Sequence, residues 1–277
     1  MNDKILAMAV AAAISVSAAA YGADSQPAVQ HPHPGPYAQK IAGVANWDVP
    51  TNYFSLDEDD TTRLMEKMQN PGVTDSWLFG PRGLEPWFAV VSYDPVGHVA
   101  DDEKLDADKI LEQLKSGAEA SNEERRKRGW SELKILGWQA EPHYEPDTKR
   151  LSWAVLNESG GERNINYTTK ILSRTGVATV VLVTAPETLD ASVADLKKQL
   201  ASFNFNQGER YSEFKQGDKV AEYGLTGLIV GGAAAAAVKT GAWKWLLGIL
   251  AASWKAVAAV CMAAVAGVKS WFGRKKA

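Results

Sequence analysis

The stretch "INYTTKILSRTGVATVVLV", residues 165–183, decides the fold class. Its two arms, 165–172 and 177–183, are rich in β-branched and aromatic residues and read as strands. Between them lies "SRTG", residues 173–176, a compact connection with glycine in its last place. Strands joined by so short a link run antiparallel. The same reading extends upstream. "RLSWAVL" (150–156) follows the turn-like "EPDTK" (145–149), and "LKILGW" (133–138) and "WFAVVSY" (87–93) have strand composition. Sequential strands with short turns predict an antiparallel meander.

Two helical periods interrupt the strands. Over 106–127, Ile110, Leu111, Leu114 and Ala118 recur on one face. Asp106 and Asp108 stand where acids cap and polarise a helix start, and Gly129 stands where a helix stops. Over 186–201, a proline opens the first turn, and Leu189, Val193, Leu196 and Leu200 form the stripe. The expected class is α+β: an antiparallel sheet meander with two packed helices.

Charge is distributed unevenly. Residues 223–277 contain no Asp or Glu and carry seven cations. Setting these and the leader's Asp3 and Lys4 aside leaves 22 basic against 32 acidic residues, a middle region near −10. Such a domain repels phosphate backbones, which excludes nucleic acid as an expected partner. Cys261 is the single cysteine, so neither an intramolecular disulfide nor a cysteine zinc site can form.

Both ends read as membrane-directed. Lys4, an apolar run from Ile5 to Val16 and Ala18-Ala19-Ala20 have the layout of a secretory signal peptide over 1–20. Residues 21–40 are proline-rich and read as a flexible linker, in which His31 and His33 are solvated. The α+β domain is expected over 41–218 and a transmembrane helix over 219–243, long enough to cross the bilayer. Gly227, Gly231 and Ala235 lie four apart and offer a small-residue face for packing on another helix, a route to self-association. Over 244–277, Lys244, Lys255 and Lys269 fall on one side of a helix, which reads as interfacial and amphipathic or as a second pass. A basic cytoplasmic tail places the domain outside the cytoplasm, at a bacterial inner membrane facing the periplasm. The implied partners are the lipid bilayer and a protein.

For chemistry, the stretch "GHVADDEKLDADK" (97–109) stands out. Its helix-start half is explained by capping. Asp101, Asp102 and Glu103 are not, and read as a solvated loop or a binding edge; His98, Asp101, Asp102, Trp138, His143 and Tyr144 mark the candidate surface. The calcium-loop pattern fails for want of its glycine and twelfth-position glutamate. No nucleophile elbow, metalloprotease helix or phosphate loop occurs, and no cofactor is expected. The six tryptophans between Trp47 and Trp153 read first as sheet core. The expected function is a non-catalytic binding module. A hydrolase or metal-dependent enzyme using His98, His143 and Asp101 or Asp102 is the alternative.

Four stretches carry a resemblance: "GPRGLEPWFAVVSYDPVGHVADDEKLDADKILEQLKSGAEASNEERRKRGW", "LGWQAEPHY", "RLSWAV" and "NINYTTKILSRTGV". In order and spacing the chain resembles, over 46–242, a bacterial family of membrane-anchored proteins classed as a domain of unknown function. The resemblance implies an anchored envelope protein and brings no activity or site residues. "VLVTAPETLDASVADLKKQLASFNF" (181–205) is similar to the close of Mog1/PsbP-like domains, where a last strand and helix finish an α/β sandwich.

Overall fold

The computed structural model describes residues 32–70, 73–82 and 87–231. The hairpin that opened the reading is present: β9 (Glu162–Leu172) pairs with β10 (Val177–Thr184) in continuous antiparallel register. Ser173 closes the turn, its N–H reaching the Gly176 carbonyl at 2.9 Å. Upstream, β7 (Leu133–Glu145) and β8 (Arg150–Ser159) complete a four-stranded meander. The chain reaches β7 from β6 (Trp87–Asp94), which pairs with the far side of β10. Beyond β6 lie β5 (Ser76–Pro81), β4 (Tyr53–Leu56) and a two-residue β1 (His33–Pro34). The eight strands therefore run β1-β4-β5-β6-β10-β9-β8-β7, all antiparallel. A second sheet contains β2 (Tyr37–Ile41), β3 (Ala45–Val49) and β11 (Asn204–Phe205).

Helices cover opposite faces of the large sheet. α1 (Glu58–Lys67) and α2 (Ala107–Lys127) pack on one face; Met65 of α1 joins Val90, Val181 and Val183, and Ile110 and Leu114 of α2 join Trp153 and Val155. On the other face, α3 (Leu189–Gln199) and the small sheet enclose Ala89, Val91, Val180 and Leu182 with Trp47, Leu196 and Phe203. Strand alternation produces this division, because successive side chains leave a strand on opposite faces. The α+β class and the two expected helices are observed, with the helices on opposite faces and the meander limited to β7–β10.

Local physics explains the helix bounds. Asp106 Oδ1 accepts from the Lys109 N–H at 3.2 Å and caps α2. Gly129 follows its end at φ 69°. Asp57 caps α1 in the same way, accepting from the Asp60 N–H at 2.8 Å. This third helix was not foreseen: "EDDTTRLMEK" shows mostly polar residues, with no broad apolar stripe.

One expectation is corrected, and a second is described only over its first half. The linker expected over 21–40 is ordered from His33: β1 pairs with β4, and β2 pairs with β3. Pro34 is tolerated because it sits on the sheet edge, where a missing N–H costs no ladder bond. Of the helix expected over 219–243, residues 232–243 lie outside the described residues; residues 219–224 are not helical, and α4 (Leu225–Val230) has Leu225, Leu228 and Ile229 buried in the domain core beside Val177 and Leu172. Gly231 follows at φ 90°. Gly227 does not offer a free packing face. A Cβ there would lie 2.6 Å from that of Tyr223. Among the described residues no helix is long and apolar enough to cross a membrane. The leader over 1–20, Ala235 and the tail helix over 244–277 lie outside the described residues.

Candidate functional site

The loop between β6 and α2, residues 95–106, meets a strap that runs from β11 to α4. Backbone bonds seat the strap: the His98 N–H reaches the Lys219 carbonyl, and the Ala221 N–H reaches the His98 carbonyl, each at 2.8 Å. Side chains then clamp it. Arg174 donates through Nε and Nη2 to both Asp218 oxygens at 2.7 Å. A bidentate pair of this kind fixes geometry as well as charge. Those bonds hold the Asp218 pKa down to about 2.

Inside the clamp, the His98 ring stacks between Tyr211 (centroids 4.2 Å apart) and Phe214 (4.1 Å). The Tyr211 hydroxyl donates to the Val99 carbonyl at 2.8 Å. Next to it, Asp101 Oδ2 accepts from the Tyr144 hydroxyl at 2.5 Å and from Lys149 Nζ at 2.8 Å. Lys149 Nζ also lies 4.8 Å over the Tyr211 ring, within cation–π range. Burial pushes the Asp101 carboxyl up, but the Lys149 and Tyr144 bonds outweigh it and leave the pKa below the ordinary value. Burial, followed by the Asp101 charge, raises the Tyr144 and Tyr211 phenols well above theirs. Burial lowers His98, against the opposing pull of Asp101 and Asp218. The site thus holds a neutral imidazole between two rings and an ionised carboxylate already bonded to a cation and a phenol.

A family model described as a protein of unknown function (DUF2167) matches residues 33–266. The chain belongs to this family. The DUF2167 match begins at β1 and so takes in the edge strands that composition assigned to a linker. No curated protein matches it significantly in sequence. Among solved structures, this DUF2167 chain is similar to the cyanobacterial PsbP of Synechocystis at 13% identity and TM-score 0.36, covering 67% of this chain and 99% of that one. It is also similar to the Ran-binding protein Mog1p of Saccharomyces cerevisiae at 10% identity and TM-score 0.32, covering 65% and 100%.

In the DUF2167 domain the residues singled out from sequence separate into distinct roles. His98, Asp101 and Tyr144 come together. Asp102 is exposed. Glu103 Oε2 accepts from the Thr226 N–H at 3.1 Å, at the start of α4, and so ties the loop to that helix. Trp138 donates from Nε1 to the Ala107 carbonyl at 3.1 Å and fastens β7 to the first residue of α2. His143 is exposed and shares no hydrogen bond, ion pair or ring contact with His98 or Asp101. It precedes Tyr144 on β7, so alternation points it to the opposite face from the hydroxyl that meets Asp101. The paired-histidine arrangement needed by the enzymatic alternative is therefore not assembled here. Among the described residues no group of three His, Cys, Asp or Glu side chains could hold a metal. Trp47, Trp87 and Trp153 are core residues. Lys149, Tyr211 and Phe214 were missed. The aromatic pair in the otherwise polar "RYSEFKQGDK" was the available signal.

Proposed function

We propose that this DUF2167 chain is an exported envelope protein whose domain binds a protein partner through the His98–Phe214 surface, held at the inner membrane by its C-terminal tail. One observation carries the binding reading. Phe214 is 38% exposed and Val220 is 55% exposed, and both abut His98, one by ring stacking and one by a backbone bridge. An exposed apolar pair on a clamped strap is preorganised, so a partner bears little ordering cost. The charges beneath it are already neutralised, which suits a binding surface better than acid–base work. Export and anchoring are supported by the leader-like residues 1–20 and the acid-free, basic tail.

Two experiments test this. A photo-crosslinking residue at position 214, in cells that make the protein, is expected to form one discrete protein adduct that the same residue at exposed Lys134 does not form. Equal labelling at both positions, or none at 214, overturns the binding surface. For location, the Glu123→Cys variant on a Cys261→Ser background is expected to react with a membrane-impermeant maleimide in spheroplasts. Labelling only after lysis overturns the extracytoplasmic placement.

A further inference from the structure

The inward face of β9 departs from the apolar strands beside it. Asn164, Asn166, Thr168 and Lys170 take successive positions on the α1/α2 face and are all 8% exposed or less. The ladder continues the polar row onto β8, where Asn157 faces Asn164. On the other side β10 supplies Val181 and Val183 opposite Thr168 and Asn166. The row therefore divides one sheet face into two apolar clusters, one beneath α1 and one beneath α2 and α4. Side chains that break the apolar pattern of a core point to function when nothing local satisfies them.

Here most are unsatisfied. Asn157 Oδ1, Asn164 Nδ2, both amide atoms of Asn166, Thr168 Oγ1 and Trp153 Nε1 are buried with no hydrogen-bond partner. The one bond inside the row is long, Asn157 Nδ2 to Asn164 Oδ1 at 3.4 Å. We propose that this row is a binding site for an uncharged ligand that both donates and accepts hydrogen bonds, an extended set of hydroxyl or amide groups, of which a file of ordered water is the smallest form.

Three features select that chemistry. The unpaired atoms include donors (Trp153 Nε1, Asn164 Nδ2) and acceptors (Asn157 Oδ1, Asn166 Oδ1), so the occupant needs both. The row from Asn157 to Thr168 carries no formal charge. Lys170 at its end donates to Thr179 Oγ1 at 2.9 Å, and burial disfavours its charged form, so the row as a whole suits an uncharged occupant. Successive inward residues of a strand stand about 6.6 Å apart, so three of them span about 13 Å. One water molecule cannot bridge that distance, and the occupant is extended or multiple.

The test uses the full-length chain. Thr168→Val is nearly isosteric. With the site occupied, Thr168→Val and Asn166→Leu each lower Tm by about 2–4 °C or more, because bonds to the occupant are lost. An unchanged or raised Tm for Thr168→Val overturns the proposal, since removing a hydroxyl that bonds nothing stabilises a core. A native mass spectrum and a high-resolution crystal structure separate the sources. A discrete adduct that Asn166→Leu abolishes identifies a retained hydroxyl- or amide-bearing molecule. An unmodified mass, with solvent oxygens bonded to Asn166 and Thr168, identifies water. Asn166 and Thr168 bonded only to protein groups overturn the proposal.

Discussion

Asp101 shows how a residue's role depends on what the fold brings to it. In sequence it is one of three adjacent acids; in the structure it is the shared acceptor of Tyr144 and Lys149, from 43 and 48 positions away. Replacing it with alanine leaves a half-buried phenol and ammonium without their acceptor. We expect a loss of about 1–2 kcal/mol, partly offset by solvent, in urea unfolding of Asp101→Ala. His98 gives a pH signature. Burial lowers its pKa, Asp101 and Asp218 oppose that, Lys149 reinforces it, and Tyr211 and Phe214 face its ring. A base with a lower pKa folded than unfolded binds more protons when unfolded. Its contribution to stability is therefore complete above the ordinary 6.5 and is lost as pH falls through that value toward the folded one. His98→Phe keeps the stack and is expected to flatten the stability curve between about pH 7.5 and 5.5. A curve as steep as the wild type's would remove His98 as the cause. Asp218 acts in a separate window, from its ordinary 3.8 down to about 2.

Among the elements, α4 departs furthest from its reading. "LTGLIV" begins an apolar run that suits a bilayer, and apolar surface is buried equally well by lipid or by a protein core. Periodicity cannot distinguish the two. The structure assigns Leu225, Leu228 and Ile229 to the α2 side of the domain core. Leu228→Ala is therefore expected to cost the domain about 2–4 kcal/mol in chemical denaturation, whereas a residue in lipid would leave it unaffected. A fragment ending at 231 should likewise be markedly more stable than one ending at 222. By contrast, α2 and α3 were legible because each combines a start signal with an apolar stripe. α1 has the start signal and too little of the stripe. β1 and β2 were hidden by prolines, which are compatible with both a linker and a sheet edge.

Across the whole domain, segments far apart in the chain meet. β11 pairs with β3, joining Asn204 to Asn46, and Phe203 shares a cluster with Ile41 and Leu182. Contacts this distant in sequence predict a single cooperative transition, with far-ultraviolet circular dichroism and tryptophan fluorescence coinciding; separate midpoints would show that the small sheet unfolds independently. The sequence by itself determined the α+β class, the β9–β10 hairpin, the two amphipathic helices and the acidic-domain, basic-tail division. Each of these rests on residues near one another along the chain, where period, capping and turn chemistry act directly. Only the tertiary structure decided that α2 and α3 lie on opposite faces, that Asp101 finds Tyr144 and Lys149 while His143 points away, and that β9 turns a polar row into the core. Those outcomes depend on which strands become neighbours, and strand pairing is selected by the burial of whole faces, which no local stretch of sequence encodes.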